Sequence, residues 1–311
     1  MDKKLTIIIP HLNEEEELEE TVKSFFNTID IDNFEIVTID DCSTKTTDLS
    51  KYSNVRQIRN KNRIGVDGSR QLGVDQSQTD HVLILDSHMR FKKDNWASKI
   101  IDCIDREPET LWCTTCLGLG YGTMDLNQHK GKYKAADMLF VDSNAKPDRP
   151  AREVLEPKWS SISKEGEYDI PCILGANYGF SKKWFNYIHG LMGLKMWGTS
   201  EPFLSMKSWM TGGKCKITTS IEIGHKFRSN APYSTMVAYL VYNKIYLCKT
   251  ILPEDLGQKL INYLPKDVNY NQAIKMIDKD KNEIEREKQY YQSIFKNSIY
   301  DYCERFNISL P

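Results

Sequence analysis

His81-Val82-Leu83-Ile84-Leu85-Asp86-Ser87-His88 is the stretch that decides the fold. Its unbroken apolar run fits a strand buried on both faces, the habit of parallel sheets, and it ends in an acid and an imidazole. Upstream, Leu5 to Ile9 reads as another buried strand, followed by a helix carrying Leu18, Val22, Phe25, Phe26 and Ile29 on one face. Glu35 to Ile39 gives the next strand, Val55 to Ile58 a short one, and a helix follows Gly65. Downstream, a helix holds Trp96, Ile100 and Ile104. Strands alternating with helices specify an α/β fold with a mostly parallel sheet, whose ligands gather at the carboxyl ends of the strands.

At 311 residues the chain accommodates one large α/β domain and a smaller appendage. Its 42 Lys and Arg nearly cancel 43 Asp and Glu, leaving a formal charge of -1. No global field therefore draws it onto nucleic acid or an anionic membrane. The amino-terminal apolar run from Leu5 to Ile9 is too short for a signal-peptide core or a membrane span, so a cytosolic location is expected. Eight cysteines are scattered through the chain, mostly in apolar segments, and read as small core residues. The close pair Cys113 and Cys116 lacks a second pair at zinc-site spacing. Between 118 and 169 periodicity dissolves into a segment rich in Gly, Lys, Pro and Asp, an insertion within a 1–235 domain of the kind that shapes acceptor sites. Residues 236–311 read as a helical extension, with a charged helical tail over 267–306.

Asp86 and His88 form half of a plausible metal site, although a polar residue after a buried strand commonly just caps a loop. The other half lies far downstream, in Ile223-Gly224-His225-Lys226-Phe227-Arg228. One carboxylate with two imidazoles suits Mn²⁺ better than Mg²⁺, because Mg²⁺ prefers an all-oxygen shell. Open coordination positions would take diphosphate oxygens. A third cluster, Met196-Trp197-Gly198-Thr199-Ser200-Glu201-Pro202, leads into an amphipathic stretch closed by Gly212 and Gly213. Pro202 fits the first helical position and Ser200 or Glu201 the cap. The partial positive charge of a helix amino terminus favours a carboxylate at Glu201, which suits a hydroxyl partner or a general base, against the plainer reading of a capping glutamate. Asp40 and Asp41 end the second strand, where one carboxylate can accept from a uracil N3–H or a ribose hydroxyl, unless both merely form a turn. Arg63 and Arg70 bracket the glycine-opened helix and suit phosphate or nucleotide contacts, unless they are solvated surface charges.

Taken in order, these segments resemble a GT-A glycosyltransferase, and specifically the polypeptide N-acetylgalactosaminyltransferase branch rather than a generic family 2 enzyme. That family reads as a strand with HNE, then VDD, a GL-x-x-AR-x-x-G helix, D-x-H, a P-x-x-x-GG strand, WGGEN and GHVFR-x-x-x-PY. Here the series is HLNE at His11 to Glu14, IDDCS, GVDGSRQLG, DSH, PCILGANYGF, MWGTSE and GHKFRSNAPY, spanning about residues 5–235. The resemblance implies a Rossmann-like mixed sheet, a UDP-sugar donor, and Mn²⁺ held by Asp86, His88 and His225. It implies that Asp40 faces the uracil, that Gly175 and Ala176 line the sugar pocket, that Arg228 and Tyr233 belong to a mobile lid, and that Trp197 turns inward as the lid closes. Ser200 stands where the family has Glu, Glu201 where it has Asn, and Ala176 where it has a second glycine, so the identity of the sugar stays open. So does the acceptor: a glycan, a protein or a modified DNA base, the last met through Lys130 to Lys134 and Lys146 to Arg152. A nucleotide-sugar-binding module without turnover is the alternative from another class. A nucleotidyltransferase fits less well, because the amino terminus lacks a glycine-rich basic loop.

Overall fold

The computed structural model describes residues 4–120, 125–142, 151, 153–228, 234 and 236–311. The chain runs β1 (Leu5–His11), α1 (Glu15–Phe26), β2 (Phe34–Asp40), β3 (Val55–Arg59), α2 (Gly65–Gln76), β4 (His81–Leu85), β5 (Met89–Phe91), α3 (Trp96–Arg106) and β6 (Thr110–Leu119). There follow β7 (Lys132–Tyr133), β8 (Ala135–Val141), β9 (Val154–Ser160), β10 (Glu167–Asp169), β11 (Asn177–Ser181), α4 (Lys182–Tyr187), α5 (Ser200–Met210) and β12 (Lys214–Lys226). The last segment is helical: α6 (Val237–Thr250), α7 (Glu254–Tyr263), α8 (Val268–Lys279), α9 (Lys281–Ile294) and α10 (Ile299–Phe306).

Every residue of β1 and β2 is buried, and both are rich in Leu, Ile, Val and Phe, with Glu35 of β2 buried against Thr6 of β1. The main sheet has the order β10-β12-β6-β11-β4-β1-β2-β3. Strands β4, β1, β2 and β3 are parallel, β11 is antiparallel to both neighbours, and β12 runs parallel to β6. From β1 the chain moves outward through β2 and β3, then returns to place β4 on the other flank of β1. That reversal opens a crevice beyond the carboxyl ends of β1 and β4, the place where an open α/β sheet takes its ligand.

Helix α1 buries Leu18, Val22 and Phe25, with Glu15, Glu16 and Glu17 in its first turn, where the helix dipole favours them. It ends at Phe26, so Ile29 packs from the following turn rather than from the helix. In α3 the stripe Trp96, Ile100 and Ile104 is buried as its spacing demands.

Two expectations change. The insertion is not structureless: β8 and β9 pair into a separate antiparallel ribbon, while β7 and β10 join the main sheet. Helix α5 begins at Ser200, two residues before Pro202, and its cap is Thr199 in the left-handed region with no side-chain capping bond. The glycine end-signal does hold, since Gly212 follows the helix at φ 96°. The helices after 236 share one apolar core with the sheet: Tyr291 and Tyr302 are fully buried in the cluster that contains Val82, Ile84 and Phe203. Among the described residues no helix is long and apolar enough to cross a membrane.

Candidate active site

A cavity of about 630 Å³ fills the crevice at the strand reversal. Its walls carry His11 from β1, Asp86, Ser87 and His88 after β4, Gly175 and Ala176 before β11, Trp197 to Glu201 at the start of α5, and His225 to Arg228 from the end of β12.

Asp86 leaves β4 with its amide bonded to the Ala176 carbonyl at 3.0 Å. Strand β5 then pairs with β12, His225 opposite Met89, and the His88 carbonyl accepts from the Lys226 amide at 3.1 Å. Residues separated by 137 positions thus become neighbours: His88 Nε2 lies 3.1 Å from His225 Nε2. Asp86 Oδ2 lies 3.3 Å from the same His225 nitrogen. One ligand atom from each of the three residues falls within 4.8 Å of the others. Cis ligands on an octahedral cation with bonds of about 2.1–2.3 Å stand about 3.0–3.3 Å apart, which the His88–His225 and Asp86–His225 separations match, and one carboxylate with two imidazoles suits a divalent transition metal.

Glu14 supplies what this set needs behind it. Its Oε2 lies 3.1 Å from His88 Nδ1. An ionised carboxylate can only accept, so Nδ1 carries the proton and the Nε2 lone pair faces the centre. The other oxygen pairs with Arg228 Nη1 at 2.6 Å. Burial raises the Glu14 carboxyl, but its contacts with His88 and Arg228 outweigh it and hold the group below the usual range. Burial also opposes ionisation of Asp86, yet His225, Arg70 and His88 together keep it well below the carboxylate range. His225 is lowered, chiefly by burial, which favours the neutral imidazole that a metal requires.

Arg70 is buried, not solvated. It donates to Asp86 Oδ1 at 3.0 Å and to the Gly175 carbonyl at 3.1 Å, and stands 3.7 Å from Asp67. Gly175 has no room for a side chain, because a Cβ there would come within 2.0 Å of Glu201 Oε1. Ser200 Oγ donates to the other Glu201 oxygen at 3.2 Å. Arg63 lines the cavity 3.9 Å from Asp41.

Of the paired carboxylates, Asp41 lines the cavity and Asp40 does not. Asp40 is turned into an ion pair with Arg59 and accepts from the Ser43 amide at 2.7 Å. Asp41 accepts from the amides of Ile64 and Gly65 at 2.8 and 2.9 Å, fixing the entry to α2 beside the cavity. Tyr233 and most of the stretch 146–152 lie outside the described residues. Within Lys130 to Lys134, Lys132 pairs with Glu222 at 2.6 Å and Lys134 pairs with Glu165, which ties up two of the cations offered to phosphates.

Three cavity residues escaped the reading of the sequence. Glu14 precedes a run of glutamates and looks like one more first-turn acid. His11 was only a letter of a motif, yet its buried Nε2 has no hydrogen-bond partner among the described residues. Trp159, inside the insertion, sits with its ring 6.1 Å from that of His225 and 5.8 Å from that of Phe227.

A family model described as Glycosyl transferase family 2 matches residues 6–188. Polypeptide N-acetylgalactosaminyltransferase 10 of Homo sapiens is 27% identical over 238 residues, covering 73% of this chain and 38% of the relative. Polypeptide N-acetylgalactosaminyltransferase 5 of Mus musculus is 29% identical over 214 residues, covering 64% and 22%. The chain therefore spans well under half the length of these curated relatives. Among solved structures, GalNAc-T7 with UDP, GalNAc and Mn²⁺ superposes with a TM-score of 0.76 at 18% identity, covering 98% of this chain and 57% of that one. TarS of S. aureus in complex with UDP-GlcNAc gives 0.55 at 15% identity, covering 83% and 70%.

Proposed function

Since the chain belongs to glycosyl transferase family 2 and has the GT-A fold, we propose that its cavity moves a sugar from a UDP-sugar to an acceptor hydroxyl with a divalent cation, Mn²⁺ by preference. The observation that carries this reading is the meeting of Asp86 Oδ2, His88 Nε2 and His225 Nε2 in a cavity at the strand reversal. The UDP and Mn²⁺ of the GalNAc-T7 structure, and the UDP-GlcNAc of TarS, support the choice of donor and ion. When bound by these three residues, the cation would neutralise charge that develops on the departing diphosphate.

The chain's own groups divide the rest of the work. His11, Asp41 and Arg63 form the wall at the ends of β1 and β2 and suit the nucleoside. Arg228 and Lys226 border the proposed metal ligands and suit the phosphates; Arg228 must exchange Glu14 for them, and Lys226 must exchange Glu17. Arg70 serves by holding Asp86 and the Gly175 carbonyl in place. Glu201 and Ser200, over Gly175 and Ala176, face the sugar and its acceptor, with Glu201 the group able to hold a proton from the attacking hydroxyl. Trp197 and Trp159 wall the cavity and exclude water that would hydrolyse the donor.

The test is UDP release and product mass from a panel of UDP-sugars over pooled glycan, protein and hydroxylated-base acceptors, with and without Mn²⁺. Asp86→Ala is expected to remove metal-dependent transfer. Tight UDP binding with no turnover on any acceptor would replace this reading with a binding module. The anomeric proton of the product, read by NMR, decides whether Glu201 is the base of an inverting reaction.

A further inference from the structure

The segment that delivers Trp197, Ser200 and Glu201 to the cavity does not have a relaxed backbone. Met196 has φ 57°, Gly198 φ 102° and Thr199 φ 73°. A β-branched residue in the left-handed region is costly, and such a conformation persists only where its surroundings over-determine it. Helix α2 supports one side: Gly65, at φ 82°, lies so close that a Cβ would stand 2.0 Å from Met196 Cα. The other side rests on α6 through one buried amide. Asn243 Nδ2 donates its two hydrogens to the carbonyls of Lys195 at 2.8 Å and Gly198 at 2.9 Å, and the Trp197 carbonyl shares one of them at 3.3 Å. Its Oδ1 accepts from the Lys195 amide at 2.8 Å. The side chain of Lys195 is in turn held by Asp280 at 2.8 Å, at the junction of α8 and α9.

We propose that Asn243 is a positioning residue of the transfer site: its amide gathers the carbonyls of 195, 197 and 198, so that α6 sets where Trp197, Ser200 and Glu201 stand. The clamp is read from geometry alone, while its kinetic consequence rests on the cavity being a transfer site. A primary amide is the side chain suited to this task, because it combines donors with an acceptor at one point, and full burial denies the loop carbonyls water as a substitute.

The experiment uses the full chain carrying Asn243→Ala. Hydrogen exchange across 195–203 is expected to quicken about tenfold or more, with β1 and β4 unchanged, because strained backbone that loses its anchor opens locally. Trp197 emission, taken as the difference between parent and Trp197→Phe in each background, is expected to shift. Affinity for Mn²⁺ with UDP should stay within about twofold while kcat for transfer falls about tenfold or more, since small misplacement of reacting groups is expensive. Asn297→Ala is the control: Asn297 Nδ2 donates to the Trp209 carbonyl at 2.9 Å at the far end of α5, so its loss loosens helix docking without touching the loop. Should Asn243→Ala not fold, Asn243→Asp, which keeps the acceptor and lacks the donors, is expected to give the same shifts. Unchanged exchange and emission in the Asn243 variants overturn the proposal, as does an equal fall in kcat for Asn297→Ala. Faster exchange in a protein whose parent transfers no sugar upholds the clamp and removes the transfer reading instead.

Discussion

Glu14 touches no ligand position of the proposed metal, yet it fixes the tautomer of His88 and holds Arg228. Glu14→Gln is expected to weaken Mn²⁺ binding about 10- to 100-fold, measured by titration calorimetry, with the fold unchanged by circular dichroism. A neighbouring acid gives a different test. Asp67 is fully buried, with the Arg70 guanidinium 3.7 Å from its carboxylate and the Ser200 hydroxyl and Gly198 amide beside it. Burial, against the pull of Arg70, raises its carboxyl from 3.8 to about 7. The folded chain thus holds this proton more tightly than the unfolded chain, so stability is lost as pH rises from the unfolded value through the folded one. Asp67→Asn has no such loss and is expected to melt above the parent at pH 8, with the gap closing toward pH 4. At this scale the convergence of Asp86, His88 and His225 was legible because the order of motifs singled them out. Which of Asp40 and Asp41 meets the cavity was not, because adjacent residues at a strand end turn to opposite sides and the sequence does not say which side is open.

Most strands and helices of the first hundred residues were legible for a physical reason: β1 and β4 are dominated by apolar residues and α1 and α3 show their stripes, whereas β5 is too short to show a pattern. The start of α5 was not. Ser200, Glu201 and Pro202 look like a conventional entry, but the chain arrives through Thr199 in a left-handed turn that no local preference favours. Contacts from α2 and α6 help hold it there. The β8 and β9 ribbon was hidden because Leu139 and Val141, on the less buried face of β8, are themselves apolar, and Pro157 interrupts the pattern of β9. Gly65 tests how tightly α2 is pressed on the loop. Gly65→Ala combines a left-handed alanine with backbone overlap at Met196, and is expected to cost roughly 2–5 kcal/mol, read as a lower midpoint in denaturant.

In the whole molecule, the charged run after 266 read as a tail and proves to be packed. Tyr302 donates to the Pro171 carbonyl at 2.7 Å, and Tyr291 is fully buried with its hydroxyl 3.2 Å from the Lys207 ammonium of α5. Lys207 is itself fully buried, and burial drives it well below its ordinary pKa. Ending the chain at 266 would leave that ammonium and the rings of Phe203 and Trp209 uncovered. Such a truncation is expected to lose its near-ultraviolet dichroism and its single sharp calorimetric transition. The charged residues concealed this packing because they lie on the outer face, whereas widely spaced tyrosines and isoleucines make the inner contact.

The separation of His88 and His225 along the chain also bears on synthesis. A growing polypeptide displays Asp86 and His88 long before His225 has been made, and the trio assembles only once β12 lies between β10 and β6. Capture of the proposed ion would thus belong to the finished sheet, and a manganese-dependent rise in melting temperature would count the molecules that have completed it.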